Sequence, residues 1–288
     1  MRCRLLLALL TTLFASRTFA ADSDAPSLTV ISYHEITDPK EALTPAYAVA
    51  PTMFVRQIDW LRNNGFNFVS VDQVIAASRG ERPLPPKAVL LTFDDAYQSV
   101  ARNAWPILQM LRIPSVHAVV TRWQETKDFV DFDGKLVPRS AFMSWEQLRN
   151  MRSTGLVEIA SHSHDLHRGI VSNPQGNLQP ATTTRLFDAA SGKYESESSF
   201  EQRLKTDLQR SATLITQRAG QRPRVIVWPY GKYNALAEDA ARASGMVVGL
   251  TLDDGDLTRC FRPCLMFIRG TGDVDDGEAE IYERGDHP

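Results

Sequence analysis

Three times along the chain a helix-forming stretch stops at Gly and a short apolar run follows. Phe54, Ile58 and Leu61 recur at helical spacing before Gly65 and "FNFVSV". "SWEQLRNMRSTG" precedes "LVEIA", and "NALAEDAARASG" precedes "MVVGLTL". Gly just past a last helical turn takes the left-handed conformation that ends the helix. Short apolar strands alternating with helices call for a parallel sheet covered on its faces. "LTVISYH", "AVLLTF", "SVHAVV" and "RVIVWPY" are further strand candidates, which makes about seven β/α units. That count suits an α/β barrel closed or nearly closed on itself. A doubly wound open sheet is the competing topology.

Two stretches interrupt the alternation. "KDFVDFDGKLVPRSAF" lies between a strand and a helix, and "NPQGNLQPATTTRLFDAASGKYESESS" is long, polar and rich in turn formers. Loops that follow strands build the sites of parallel β/α folds, so both are expected to wall a substrate groove. For the second, a flexible insertion is an equal alternative.

Residues 1–20 read as a secretory signal peptide. Arg2 and Arg4 precede an apolar core at 5–13, and Thr18-Phe19-Ala20 offers a cleavage site. The apolar run is too short to leave a transmembrane segment in the mature chain. A periplasmic or secreted location follows. The net charge of −2 gives no basic excess of the kind nucleic acid demands. Hydrophobic residues make up 43%, enough for an ordinary core. An oxidising compartment permits a Cys260–Cys264 disulfide across a turn at Pro263; two small apolar residues are the plainer reading. Residues 271–288 are acidic and aperiodic and are expected to be a disordered tail.

The chain has six histidines, and His162, His164 and His167 fall together in "EIASHSHDLH", just past a strand. Imidazole is a common ligand of divalent metals, and polar residues at the C-terminal end of a barrel strand more often do chemistry than hold the fold. His162 and His167 can face one point across a turn, leaving His164 beside it or exposed. The apolar strand "AVLLTF" ends abruptly in Asp94-Asp95. Adjacent carboxylates there are costly to desolvate without a compensating positive charge, which a metal supplies. One can bind metal while the other stays free as a base; a helix cap is the bland reading of the pair. In "RVIVWPYGKYN", Pro229 and Gly231 bracket Tyr230. Such a turn can present the Tyr230 N–H to an oxyanion, and Trp228 and Tyr230 can stack on a sugar ring. His34, ending the first strand, reaches the same mouth.

"LTFDD", then "SHSHDLH", then "WPYG" resemble the polysaccharide deacetylases, the NodB-homology domain of carbohydrate esterase family 4. "FMSWEQLRNMRSTGLVEIASHSHDLHRGIVSNPQGNLQP" and "VWPYGKYN" are more similar still to the bacterial poly-β-1,6-N-acetyl-D-glucosamine N-deacetylases of biofilm export systems. The likeness covers most of residues 28–270, and residues 21–270 are taken as the deacetylase domain. It implies a distorted (β/α)7 barrel and one divalent metal ion, with Zn, Ni, Co and Fe all chemically suitable. It also implies a β-linked N-acetylglucosamine polymer as substrate and envelope export machinery as a partner. Carried over, Asp94 is the base, Asp95, His162 and His167 hold the metal, and the Tyr230 N–H meets the oxyanion.

The chain departs from the common pattern in two places. Val227-Trp228 stands where an Arg usually precedes the turn, and no late strand carries the usual acidic His. His34 is the candidate acid. Deacetylases of this subgroup often continue into a C-terminal glycan-binding or hydrolase domain, which the stretch after Arg269 does not resemble. The rival functions are hydrolysis of peptidoglycan, chitin or an ester by the same kind of site, metal binding without catalysis in the periplasm, and carbohydrate binding without catalysis.

Overall fold

The computed structural model describes residues 28–132, 134–252 and the backbone of 264–269. The expected leader at 1–20, the pairing of Cys260 with Cys264 and the acidic tail at 271–288 lie outside the described residues.

The main sheet contains β1 (Leu28–Tyr33), β2 (Asn67–Phe68), β3 (Ala88–Phe93), β4 (Ser115–Val119), β5 (Val157–Ser161), β6 (Val225–Val227), β7 (Val248–Leu250) and β8 (Cys264–Arg269). All its pairings are parallel, in the order β1-β8-β7-β6-β5-β4-β3-β2. β1 also pairs β3 along its whole length, from Leu28↔Ala88 to Tyr33↔Phe93. That contact closes seven strands into a barrel and leaves β2 as a short strand against the start of β3. The ring is uneven, since β5 and β6 meet only at Ile226↔Ser161. The open-sheet alternative is thereby excluded, and the distorted (β/α)7 barrel stands.

Helices α1 (Pro51–Asn63), α2 (Val71–Ser78), α3 (Trp105–Leu111), α4 (Thr121–Glu125), α5 (Trp145–Ser153), α6 (Glu197–Ala219) and α7 (Ala235–Ala243) connect the strands. Phe54, Ile58 and Leu61 are the buried face of α1, as their spacing predicts. The strand expected over "FNFVSV" is shorter than predicted. Ser70 and Gln73 form a reciprocal capping box there, so Val71 opens α2 rather than extending β2.

Strand alternation sorts the core. Leu28, Val30, Ala88, Leu90, Val116, Ala118, Ala160, Val225, Val227, Val248 and Leu250 form one buried cluster drawn from six strands, which fills the lumen. Val71, Val74 and Ile75 of α2 join it from the N-terminal end. Intervening residues such as Val89, Leu91 and Phe93 pack outward with α1, α3 and α5. The lumen is also closed below by Arg224, whose guanidinium bonds both oxygens of Glu158 and reaches Asp72 of α2. The C-terminal end is different. The lumen columns Val30-Ser32-His34, Leu90-Thr92-Asp94 and Ala160-His162 turn polar there, because the same period of two that buried the apolar residues carries on into the mouth.

The two interruptions are hairpins on the loops after β4 and β5. Phe129–Phe132 pairs Lys135–Pro138, Gly169–Val171 pairs Leu178–Pro180, and Phe187–Asp188 pairs Lys193–Tyr194. The second stretch thus takes part in two short hairpins.

Candidate metal centre

Asp94 keeps strand geometry, with its N–H bonded to Tyr33 O, and so points into the lumen. A continued strand would send Asp95 the other way. Instead Asp95 (φ 66°) and Ala96 (φ 56°) adopt left-handed backbone, and Asp95 stays at the mouth with 2% exposure. Ser163 (φ 71°) and Tyr230 (φ 57°) are left-handed too, in the loops after β5 and β6. Such conformations in non-glycine residues persist only where the surroundings over-determine them.

Asp95, His162 and His167 are brought together, with one ligand atom of each lying within 4.8 Å of the others. Asp95 Oδ1 is 3.7 Å from His162 Nε2 and 3.6 Å from His167 Nε2. Donors bound to zinc at about 2.0–2.2 Å sit roughly 3.3–3.6 Å apart in a tetrahedron. His162 Nδ1 lies 2.7 Å from the carbonyl oxygen of Val227, which can only accept, so Nδ1 carries the proton. Burial, helped by the neighbouring His167, pushes the His162 pKa down to about 3. The neutral ring therefore aims the Nε2 lone pair at a carboxylate oxygen. Lone pair against lone pair is unfavourable by itself and becomes favourable with a cation between them, so these residues fit a divalent ion.

His164 faces away, its Nδ1 3.0 Å from Thr121 Oγ1 at the start of α4. Asp94 Oδ2 accepts from Ser32 Oγ at 3.1 Å, while Oδ1 is buried with no hydrogen-bond partner among the described residues. Sequence reasoning missed Ser32. Its signal was there: a hydroxyl between Val30 and His34 on a lumen-facing column. His34 is half-buried at the end of β1 and stacked on Tyr47, ring centroids 5.2 Å apart.

Tyr230 lies over His167, ring centroids 4.6 Å apart, and is 36% exposed. The expectation that Trp228 stacks on a sugar is corrected. Trp228 is 4% exposed, packs on Tyr233 at 5.7 Å, and fills space that Gly249 leaves open 3.1 Å from the indole nitrogen. Trp228 directly follows β6, and its backbone N–H bonds Leu250 O of β7, so the residue still belongs to the barrel wall.

A closed β/α barrel whose mouth gathers a buried carboxylate, two imidazoles and a second carboxylate has the architecture of a hydrolytic metal site. The family model for polysaccharide deacetylase matches residues 81–249, and the chain belongs to that family. It is 37% identical over 228 residues to poly-beta-1,6-N-acetyl-D-glucosamine N-deacetylase of Escherichia coli strain K12. That match covers 78% of this chain and 34% of the relative, so the chain spans about a third of the relative's length. A de-N-acetylase from Aggregatibacter actinomycetemcomitans superposes with a TM-score of 0.75 at 34% identity, covering 83% of this chain and 94% of that one. The deacetylase domain of BpsB from Bordetella bronchiseptica gives 0.73 at 39% identity, covering 84% and 97%.

Proposed function

We propose that the protein is a metal-dependent N-deacetylase of poly-β-1,6-N-acetyl-D-glucosamine. The observation that carries the reading is the division of labour between Asp94 and Asp95. One faces the two imidazoles. The other has one oxygen held by Ser32 and one buried oxygen left to take a proton.

Asp95, His162 and His167 hold the ion, which when bound supplies Lewis-acid polarisation of the acetyl carbonyl and acidifies water. Asp94 Oδ1 accepts the proton of the attacking water. The Tyr230 N–H, presented by the left-handed turn before Gly231, stabilises the oxyanion. His34 protonates the departing amine from the facing side of the mouth. The Tyr230 ring, half open over His167, offers a surface for a sugar face. The choice of polymer rests on the relatives' names. Location in the periplasm or outside the cell rests on the leader-like residues 1–20, and work beside envelope export machinery rests on the family likeness. No helix of the described residues is long and apolar enough to cross a membrane.

The deciding experiment is acetate release from poly-β-1,6-N-acetylglucosamine oligomers by metal-stripped protein, before and after adding Zn, Co, Ni or Fe. Metal-dependent release supports the proposal. Release only from chitin oligomers or peptidoglycan keeps the site and changes the polymer. Tight metal binding without release from any of them overturns the catalytic reading.

A further inference from the structure

His162 and His167 stand at the two ends of one short polar loop, and the end of β5 secures only the first of them. The inner part of the loop is held from outside the barrel by α6. Phe200, Leu204, Leu208 and Ile215 form the apolar stripe of that helix. Asp207 and Ser211, one turn apart and both buried, interrupt it. A carboxylate on an apolar stripe is costly unless its charge is met by donors.

Here the donors are the loop itself. Asp207 Oδ1 accepts the His164 N–H at 2.8 Å and Oδ2 accepts the Asp165 N–H at 2.7 Å. Ser211 Oγ lies 2.7 Å from Ser161 Oγ, which accepts the Ser163 N–H at 3.1 Å. The Leu166 N–H closes back on Ser163 Oγ at 3.0 Å. On the opposite side, the Thr121 and Arg122 N–H groups of α4 donate to the Ser163 and His164 carbonyls, each at 3.1 Å. Four consecutive amide N–H groups between the two imidazoles are thus engaged, and two of them end on one buried carboxylate. This network holds Ser163 in its left-handed conformation, which in turn sets how far His167 folds back toward His162.

We infer that Asp207 is a positioning residue for the metal centre, fixing the separation of His162 and His167 through the backbone between them, with Ser211 as its auxiliary. The inference rests on the reading of Asp95, His162 and His167 as metal ligands.

The test uses the full chain, stripped of metal and titrated with Co(II). It reads the dissociation constant by chelator competition, the visible spectrum of the cobalt-loaded protein, and thermal unfolding of the metal-free protein. Asp207→Asn keeps the shape but sets an amide N–H₂ against one of the loop's N–H groups. It is expected to weaken cobalt binding about 10–100-fold, as loss of an outer-shell partner does, and to change the spectrum. Ser211→Ala should shift both in the same direction by less. A purely structural Asp207 would lower thermal stability yet leave the loaded spectrum unchanged. A folded Asp207→Asn protein with the original affinity and spectrum overturns the inference. If Asp207→Asn does not fold, Ser211→Ala decides: an altered spectrum supports the inference and an unaltered one overturns it. Failure of the unsubstituted chain to bind cobalt is a separate result and removes the metal reading itself.

Discussion

The Ser32 hydroxyl donates to Oδ2 of Asp94 at 3.1 Å across the seam where β1 and β3 close the barrel. A hydrogen bond to a charged group contributes about 1.5–3 kcal/mol when well formed, and each 1.4 kcal/mol is about tenfold in rate. Ser32 is half-buried, so the low end applies. Ser32→Ala should lower kcat about tenfold, with metal content unchanged and KM nearly so. Ser32→Thr, which keeps the hydroxyl, should recover most of the loss. Full activity in Ser32→Ala would leave the base oriented by something else.

Neighbouring carboxylates should fail differently. Asp94→Asn removes the proton acceptor and should lower kcat about 10²–10⁴-fold while keeping bound metal. Asp95→Asn should lose metal and activity together. Metal analysis and acetate assays on the same preparations separate the two, and an Asp94→Asn protein that turns over normally removes Asp94 from the mechanism.

Stability should rise with pH through the weakly acid range. Burial holds the pKa values of His117 and His162 down to about 3, against an ordinary 6.5. The unfolded chain therefore takes up protons below pH 6.5 that the folded chain refuses until about 3. Asp207 works in the opposite direction. Burial raises its pKa from 3.8 to about 6, against the pull of its two backbone donors, so its share of stability is lost as pH climbs through that interval. Between about pH 4 and 6 the two histidines outweigh the one carboxyl by about one proton, a slope of roughly +1.4 kcal/mol per pH unit from these groups. His117→Phe, which can keep the stacking on Phe93, should flatten the slope of denaturant stability in metal-free protein by about that amount. An unchanged slope would mean that His117 is charged in the folded state.

The turn at Tyr230 depends on the glycine after it. Gly231 has φ 65°, and a Cβ there would lie 2.5 Å from Leu252 Cγ and 2.7 Å from Leu252 Cβ. Gly155 has φ 78°, and a Cβ there would meet nothing within 4 Å. Both substitutions to Ala should cost about 1–2 kcal/mol for the left-handed backbone. Only Gly231→Ala should also lose acetate release, because the clash displaces the Tyr230 N–H. Equal activity in the two variants would take the oxyanion role away from this turn.

The repeated helix–Gly–strand pattern made the barrel legible, because backbone sterics at the glycines and burial of both sheet faces are local facts. The same alternation placed Asp94, His162 and His34 at strand ends, and so near one mouth. Trp228 was misread because its neighbours in the chain are rim residues, whereas its burial is decided by Gly249 on the next strand. Ser32 and Asp207 went unread because each acts on a residue far away in the chain, Asp94 and His164 respectively.

What the sequence determined by itself was the alternation of elements and the inventory of groups able to bind metal or move a proton. What only the tertiary structure decided was which of those groups meet. Hydrophobic period and turn chemistry act over a few residues and can be read in order. The 3.6 Å and 3.7 Å approaches of Asp95 to two imidazoles depend on ring closure between β1 and β3, on left-handed backbone at Asp95 and Ser163, and on a helix that grips the histidine loop from outside. Those are contacts between distant segments, and their geometry exists only once the chain has packed.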